Sequence, residues 1–255
     1  MLASNKTSNK AMNKLFFLFT IILNSTLIAQ ISYPFQKGEQ LEYKVHYGPV
    51  VAGKAKLKVN FKEGNYQFYA EGKSVGLFNL FFKVRDYYKS TLSKDCFCPL
   101  YFNREVNEGN YSKEENVFFN YSLQQAESTR DTIALPENTQ DILSMFYYLR
   151  TLNQEQINLG EAIDLEVYLD DTFIKSNLVY LGKDTLKTKF GTIPSTKWSP
   201  QLETGRVFEE EYGMTVWISD DLNKIPLRIE SKVLVGSIKM DLTNYKNLIK
   251  PLNIL

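Results

Sequence analysis

Trp217, Asp220, Asp221 and Arg228 are the residues of this chain whose types and spacing come nearest to chemistry. An indole face shortly before two carboxylates, with a guanidinium further on, makes a platform for a sugar or another polar ligand. A glycoside-cleaving site needs more: two carboxylates held about 5–10 Å apart across the bound sugar. Adjacent acids such as Asp220-Asp221, or Asp170-Asp171, are more simply turn formers. Nucleophilic catalysis needs a base beside a serine or cysteine. The one histidine, His46, stands on the polar side of a lysine-rich strand. It has no Asp-x-His or Gly-x-Ser-x-Gly context around it. No phosphate-cradling glycine loop and no dinucleotide fingerprint accompany it. No residue is therefore assigned a catalytic role, and no cofactor is expected.

Two further groups can bind rather than react. Cys96 and Cys98 are the only cysteines. In an oxidising compartment such a pair invites a disulfide. Two residues apart in a strand, their Cα atoms stand near the upper limit for a bridge, so a bond there is strained or sits in a turn. The alternative is two small apolar residues on one strand face. With His46 they offer at most three metal ligands and no reason to converge, so no metal is expected. Residues 76–84 (GLFNLFFKV) carry Phe78, Phe81 and Phe82, too dense for a half-wet strand. The stretch reads as a buried short helix, a core strand, or an apolar lip over a cavity. Burial is the default for large apolar side chains; an exposed patch would mark a ligand or partner surface. Phe78, Phe81, Phe82 and Trp217 are the candidate apolar contacts. Asp220, Asp221 and Arg228 are the candidate polar ones.

These residues need elements to hold them, and the hydrophobic rhythm supplies strands. Met214, Val216 and Ile218 alternate with Thr215, Trp217 and Ser219. A period of two puts the first set on one sheet face. Residues 219–223 break the run with turn formers, and Ile225, Leu227 and Ile229 resume it. Pro226 has no amide proton and fits a strand start or edge. After Gly236, Ile238, Met240 and Leu242 alternate again. The same rhythm marks 41–47 and 54–61, where Lys54, Lys56 and Lys58 face outward. Further runs lie at 85–93, 100–106, 115–123, 128–135, 164–169, 173–181, 185–190 and 195–199. This spacing is the mark of a sandwich, a barrel or a large curved sheet. One segment departs from it. In 141–152 (DILSMFYYLRTL) Ile142, Met145, Phe146, Leu149 and Leu152 recur at helical steps. Thr139 or Asp141 can cap that helix, and Arg150 suits its end. The fold expected is mainly β: a large curved antiparallel sheet, or an open barrel or sandwich, with one amphipathic helix over one face.

Lys6, Lys10 and Lys14 precede an apolar run at 15–23 (LFFLFTIIL), and the small residue Ala29 follows. That order describes a secretory signal peptide over 1–29. The run is short of the roughly 20 residues of a spanning helix; an uncleaved anchor is the alternative. Met1 or Met12 can serve as the start. No cysteine stands directly after the apolar run, where a mature N-terminus would be lipidated, so a lipoprotein is not expected. Residues 30–255 are expected to form a single β-rich domain without a transmembrane span. The leader takes three of the 30 basic residues and none of the 29 acidic ones, leaving a net charge of −2. That balance argues against a nucleic-acid partner, which needs a basic face, and against a strong electrostatic membrane binder. With 44% hydrophobic and 23% charged residues, the chain can bury an ordinary core.

Phe35, Gly38-Glu39, Leu41, Tyr43, Val45, Ala52-Gly53 and Ala55 open an ordered set of residues. Asp141-Ile142-Leu143-Ser144 and Phe146-Tyr147-Tyr148-Leu149-Arg150 continue it. Gly191, Gly205, Phe208, Trp217-Ile218-Ser219-Asp220-Asp221, Ile225-Pro226 and Val235-Gly236 complete it. Over nearly the whole chain after the leader, this set resembles the bacterial family called domain of unknown function 3108. The resemblance implies an exported, β-rich envelope protein of Gram-negative type and assigns neither an activity nor a catalytic residue. The function expected is a non-enzymatic binding or carrier protein for an apolar, lipid-like ligand, in the periplasm or at the outer membrane. The alternatives are an envelope assembly module with a protein partner, and a carbohydrate-binding or glycan-active protein.

Overall fold

A computed structural model describes residues 33–201, 213–233 and 236–255. The leader at 1–29 lies outside the described residues, as do Gly205, Phe208 and Val235. Alternation of apolar and polar residues builds one large sheet. Its first half is an antiparallel meander of β1 (Gln40–Tyr47), β2 (Val50–Lys62), β3 (Asn65–Ser74), β4 (Arg85–Ser93), β5 (Pro99–Glu108), β6 (Tyr111–Asn120), β7 (Gln125–Ser128) and β8 (Thr132–Ala134). Its second half runs from β9 (Thr139–Asp141) through β10 (Ala162–Leu169), β11 (Thr172–Thr188), β12 (Gly191–Pro200), β13 (Met214–Ser219) and β14 (Pro226–Lys232) to β15 (Ser237–Lys246). The first and last strands, β1 and β15, pair antiparallel and join the halves, with Leu41 opposite Tyr245. Among the described ladders, β9 against β10 is the parallel one.

The sheet has to roll. β8 and β9 stand at opposite ends of the strand order, yet only residues 135–138 separate them in the chain. A link of that length spans about 18 Å at most. The two ends of the sheet therefore come near one another, and both finish in strands too short to recruit a foreign one.

Inward-facing side chains fill most of the roll. Phe68, Leu92, Phe102 and Val117 make one cluster; Leu178, Trp198, Val216 and Ile218 make a second; Leu41, Ile193, Leu227 and Leu242 make a third. Among the described residues, two α-helical segments stand beside the sheet, α1 (Phe78–Phe81) and α2 (Ser144–Thr151), and a 3-10 turn follows at Gln154–Gln156. The longer one is a plug. Tyr147 packs into the first cluster, while Met145 and Leu149 pack into the second.

The structure moves several element boundaries. The helix expected over 141–152 begins at Ser144, because Thr139, Gln140 and Asp141 pair with Glu166, Val167 and Tyr168 as a strand. Asp141 still caps it: its Oδ1 accepts the N–H groups of Leu143 and Ser144, and its own N–H donates to Ser144 Oγ. The runs at 173–181 and 185–190 are one long strand, β11, kept continuous by a register shift between Tyr180 and Gly182. The run at 128–135 is divided between β7 and β8, turned at residues 129–131 by Ser128 Oγ, which accepts the N–H groups of Arg130 and Asp131.

Candidate functional site

Where the core is not filled, a cleft remains. On the inner face Val59 of β2 stands opposite Phe68 of β3, and both are buried. Along the same strands the inward residues shrink to Ala55, Ala70 and Gly72, with Ala55 opposite Gly72 and Gly72 opposite Asp86 of β4. A Cβ added to Gly72 would meet only the Cβ of Asp86, at 3.9 Å. These small residues leave a cleft of about 280 Å³. Leu57, Tyr88, Ile229 and Met240 line it from the sheet, and Ile142, Leu143 and Phe146 line it from the plug. The lining is apolar apart from Glu71 and Asp86. Asp86 Oδ1 accepts the backbone N–H of Asn107 at 3.0 Å, and burial pushes its carboxyl up to about 6. The volume stands just under the roughly 300–1,000 Å³ of small-molecule pockets. Such a space can hold an apolar group and offers no nucleophile.

None of the sequence-derived candidates lines this cleft. Phe78, Phe81 and Phe82 belong to a protrusion between β3 and β4. Burial was the default for that stretch, and the structure corrects it: Leu77, Leu80, Phe81 and Phe82 are exposed. The reason is local. The segment is a single helical turn between adjacent strands, and among the described residues no second layer covers it. Trp217 faces away from Val216 and Ile218; its Nε1–H donates to Asp184 Oδ2 at 3.0 Å. Arg228 Nε donates to Asp241 Oδ1 at 2.5 Å. Asp220 pairs with Lys183 at 3.1 Å. Asp221 holds the corner between β13 and β14, accepting from Ser219 Oγ and from the N–H groups of Asn223 and Lys224. The β13–β14 register sets Trp217 opposite Arg228, but the side chains of the four residues bond to separate partners and do not converge on one site.

The other acidic pair has a part that its turn-forming chemistry did not reveal. Asp170 and Asp171 occupy the β10–β11 turn with positive φ at both. From there Asp170 takes Arg104 and Lys113, and Arg130 approaches Asp171. Glu115 of β6 binds Arg104 Nε at 2.6 Å and accepts the N–H of Asp171 at 3.0 Å. This network ties the second half of the sheet to β5 and β6 and latches the roll.

A buried ion pair also escaped the reading of single residues. Arg150 of α2 and Glu39, just before β1, are each 1% exposed. Two parallel bonds join them, at 2.6 and 2.8 Å. Arg150 Nη2 also donates to the carbonyls of Pro34 and Asn223, and its guanidinium lies over Phe35 and Tyr147. Residues scattered through the ordered set meet at this one point. Cys96 and Cys98 lie in the β4–β5 connection with Cα atoms 5.2 Å apart and their sulfurs joined, where Phe97 between them adopts φ 52°. A turn, not a strand, brings them together.

The fold is that of a rolled, barrel-like β sheet with an internal helical plug and a small apolar cleft. The chain belongs to the family described as protein of unknown function DUF3108, whose profile matches residues 42–243. Its fold is similar to that of a beta-barrel-like protein of domain of unknown function DUF1849 from Brucella abortus. That likeness has a TM-score of 0.54 at 8% identity and covers 82% of this chain and 97% of the other. A hypothetical protein, CT021, from Chlamydia trachomatis aligns with a TM-score of 0.40 at 10% identity over 86% of this chain and 92% of its own. The Brucella likeness shows a shared fold and nothing of activity. No curated protein matches the chain significantly.

Proposed function

We propose that this is an exported, non-enzymatic binding or carrier protein that takes an apolar, lipid-like group into the cleft between the inner sheet face and α2. One observation carries the reading: Ala55, Ala70 and Gly72 leave an apolar hollow where Val59 and Phe68, in the same strands, fill the core. Export is supported by the basic-then-apolar order of residues 6–23 and by the paired cysteines. The location this supports is the periplasm or the outer membrane.

The test uses the mature chain and a fluorescent fatty acid, with native mass spectrometry of protein taken from its own envelope. Uptake by the wild type and its loss in Ala70→Phe, with unfolding midpoint unchanged, is the expected result. Phenylalanine at that position fills the cleft and adds no charge. Finding no bound lipid and no uptake by the wild type would overturn the reading.

A further inference from the structure

Residues 77–82 form the most exposed apolar feature among the described residues. Phe81 is 87% exposed, Leu80 75% and Leu77 73%. Val50 and Val51, at the start of β2, are exposed too. This is a built protrusion. Val75 N–H donates to Ala52 O, Ser74 Oγ accepts from Val84 N–H and donates to Asn79 Oδ1, and Phe82 N–H donates to Phe78 O. Phe78 stands 6.1 Å from the Tyr47 ring, and the Phe82 ring lies against Gly109, where an added Cβ would come within 2.9 Å of it. Two phenylalanines thus anchor the turn while Leu77, Leu80 and Phe81 project. Backbone groups bonded within a protrusion can enter an apolar medium without loss.

Behind the protrusion runs a row of cations. Strand register sets Lys44 opposite Lys54, Lys54 opposite Lys73, and Lys73 opposite Arg85, across four adjacent strands. All four are exposed. Like charges facing one another across strands are destabilising. Asp241, opposite Lys44, has its carboxylate on Arg228 and Lys239. No ion pair among the described residues neutralises Lys44, Lys54 or Lys73. The same four cations and Lys56 line a groove of about 600 Å³, which Glu42, Glu71, Asp86 and Glu105 also line. Lys83 adds a charge directly beside Phe82.

We infer that this end of the sheet docks on a bilayer surface that carries anionic phospholipid headgroups. Leu77, Leu80 and Phe81 enter the acyl boundary, while the cation row meets the phosphates at headgroup level. Apolar insertion and electrostatic attraction to anionic lipid add in such interfacial binding. The charge row favours this occupant over a second copy of the chain, which would bring the same cations face to face. The groove shares Ala55, Glu71, Gly72 and Asp86 with the inner cleft, but docking through the protrusion does not require a ligand in that cleft.

Flotation of the mature protein with vesicles tests it. Vesicles of phosphatidylethanolamine with phosphatidylglycerol are compared with vesicles of phosphatidylcholine alone. The wild type is expected to float with the anionic vesicles and to be released by salt. Leu80→Ser with Phe81→Ser should weaken binding on the order of a hundredfold, by removing two buried side chains. Lys54→Gln with Lys73→Gln should weaken it at least about tenfold on anionic vesicles only. In Phe81→Trp, the emission should shift to the blue on binding. All of these positions are exposed, so unchanged unfolding midpoints are the control. A wild type that floats with neither vesicle overturns the inference. So does binding that survives Leu80→Ser with Phe81→Ser, or that glycerol phosphate alone abolishes. Self-association through Phe81 without vesicle binding would assign the patch to a second copy instead.

Discussion

Glu39 and Arg150 show what a signature residue can be for. They are 111 positions apart in the chain, yet fully buried and bonded through two parallel contacts. A buried pair is weak evidence of net stability, because desolvation offsets the attraction. Losing one partner is different, since it strands a charge. Glu39→Ala should cost about 3–5 kcal/mol in urea unfolding, while Glu39→Leu with Arg150→Met should recover much of that loss. Additive losses in the double variant would show that the two residues act separately. The sequence marked both residues as members of the ordered set but held no sign that they meet. Periodicity reports which face a residue occupies, not which distant residue it faces.

At the scale of elements, the two acidic pairs look alike in sequence and differ in the fold. Asp220 is bound to an exposed lysine at a corner. Asp170 is bound to Arg104, itself 7% exposed, at the latch between the two halves of the sheet. Asp170→Ala should therefore lower stability by about 2 kcal/mol, in the range of hydrogen bonds to charged groups. Asp220→Ala should stay within about 0.5 kcal/mol of the wild type, as exposed pairs do. Hydrogen exchange at the β10–β11 turn should quicken in the first variant and not in the second. Strand boundaries failed for related reasons. Residues 139–141 read as the start of a helix because the apolar pattern of α2 continues through Ile142, yet a parallel partner, β10, was available only in three dimensions.

Over the whole molecule, two inward carboxyls set a pH response. Burial pushes Asp86 and Asp141 each up to about 6. In the unfolded chain such groups titrate near 4. Between those values the folded protein holds more protons than the unfolded one. Their contribution is complete below the unfolded value and is lost as pH rises through the folded one. Stability of the wild type relative to Asp141→Asn should therefore fall between pH about 4 and about 7. Urea midpoints across that range give the slope, and a slope of opposite sign would contradict the assignment. Ser90 Oγ–H and two backbone N–H groups still bond the Asp141 carboxylate, which limits the shift.

The sequence by itself determined the class. Alternation at 41–47, 54–61 and 214–242 dictates strands with one buried face, because a pleated strand puts successive side chains on opposite sides. Helical spacing at 142–152 dictates the plug, because side chains three and four apart share a helix face. Those are local properties, and short segments state them completely. Only the tertiary structure decided that β1 pairs with β15, that the β8–β9 link closes the roll, and that residues 77–82 face outward. It also decided the cleft. Ala55, Ala70 and Gly72 are unremarkable strand residues until the register sets them side by side beneath Phe146. A hollow is a property of neighbours, and neighbours distant in sequence are set by the packing of the whole chain.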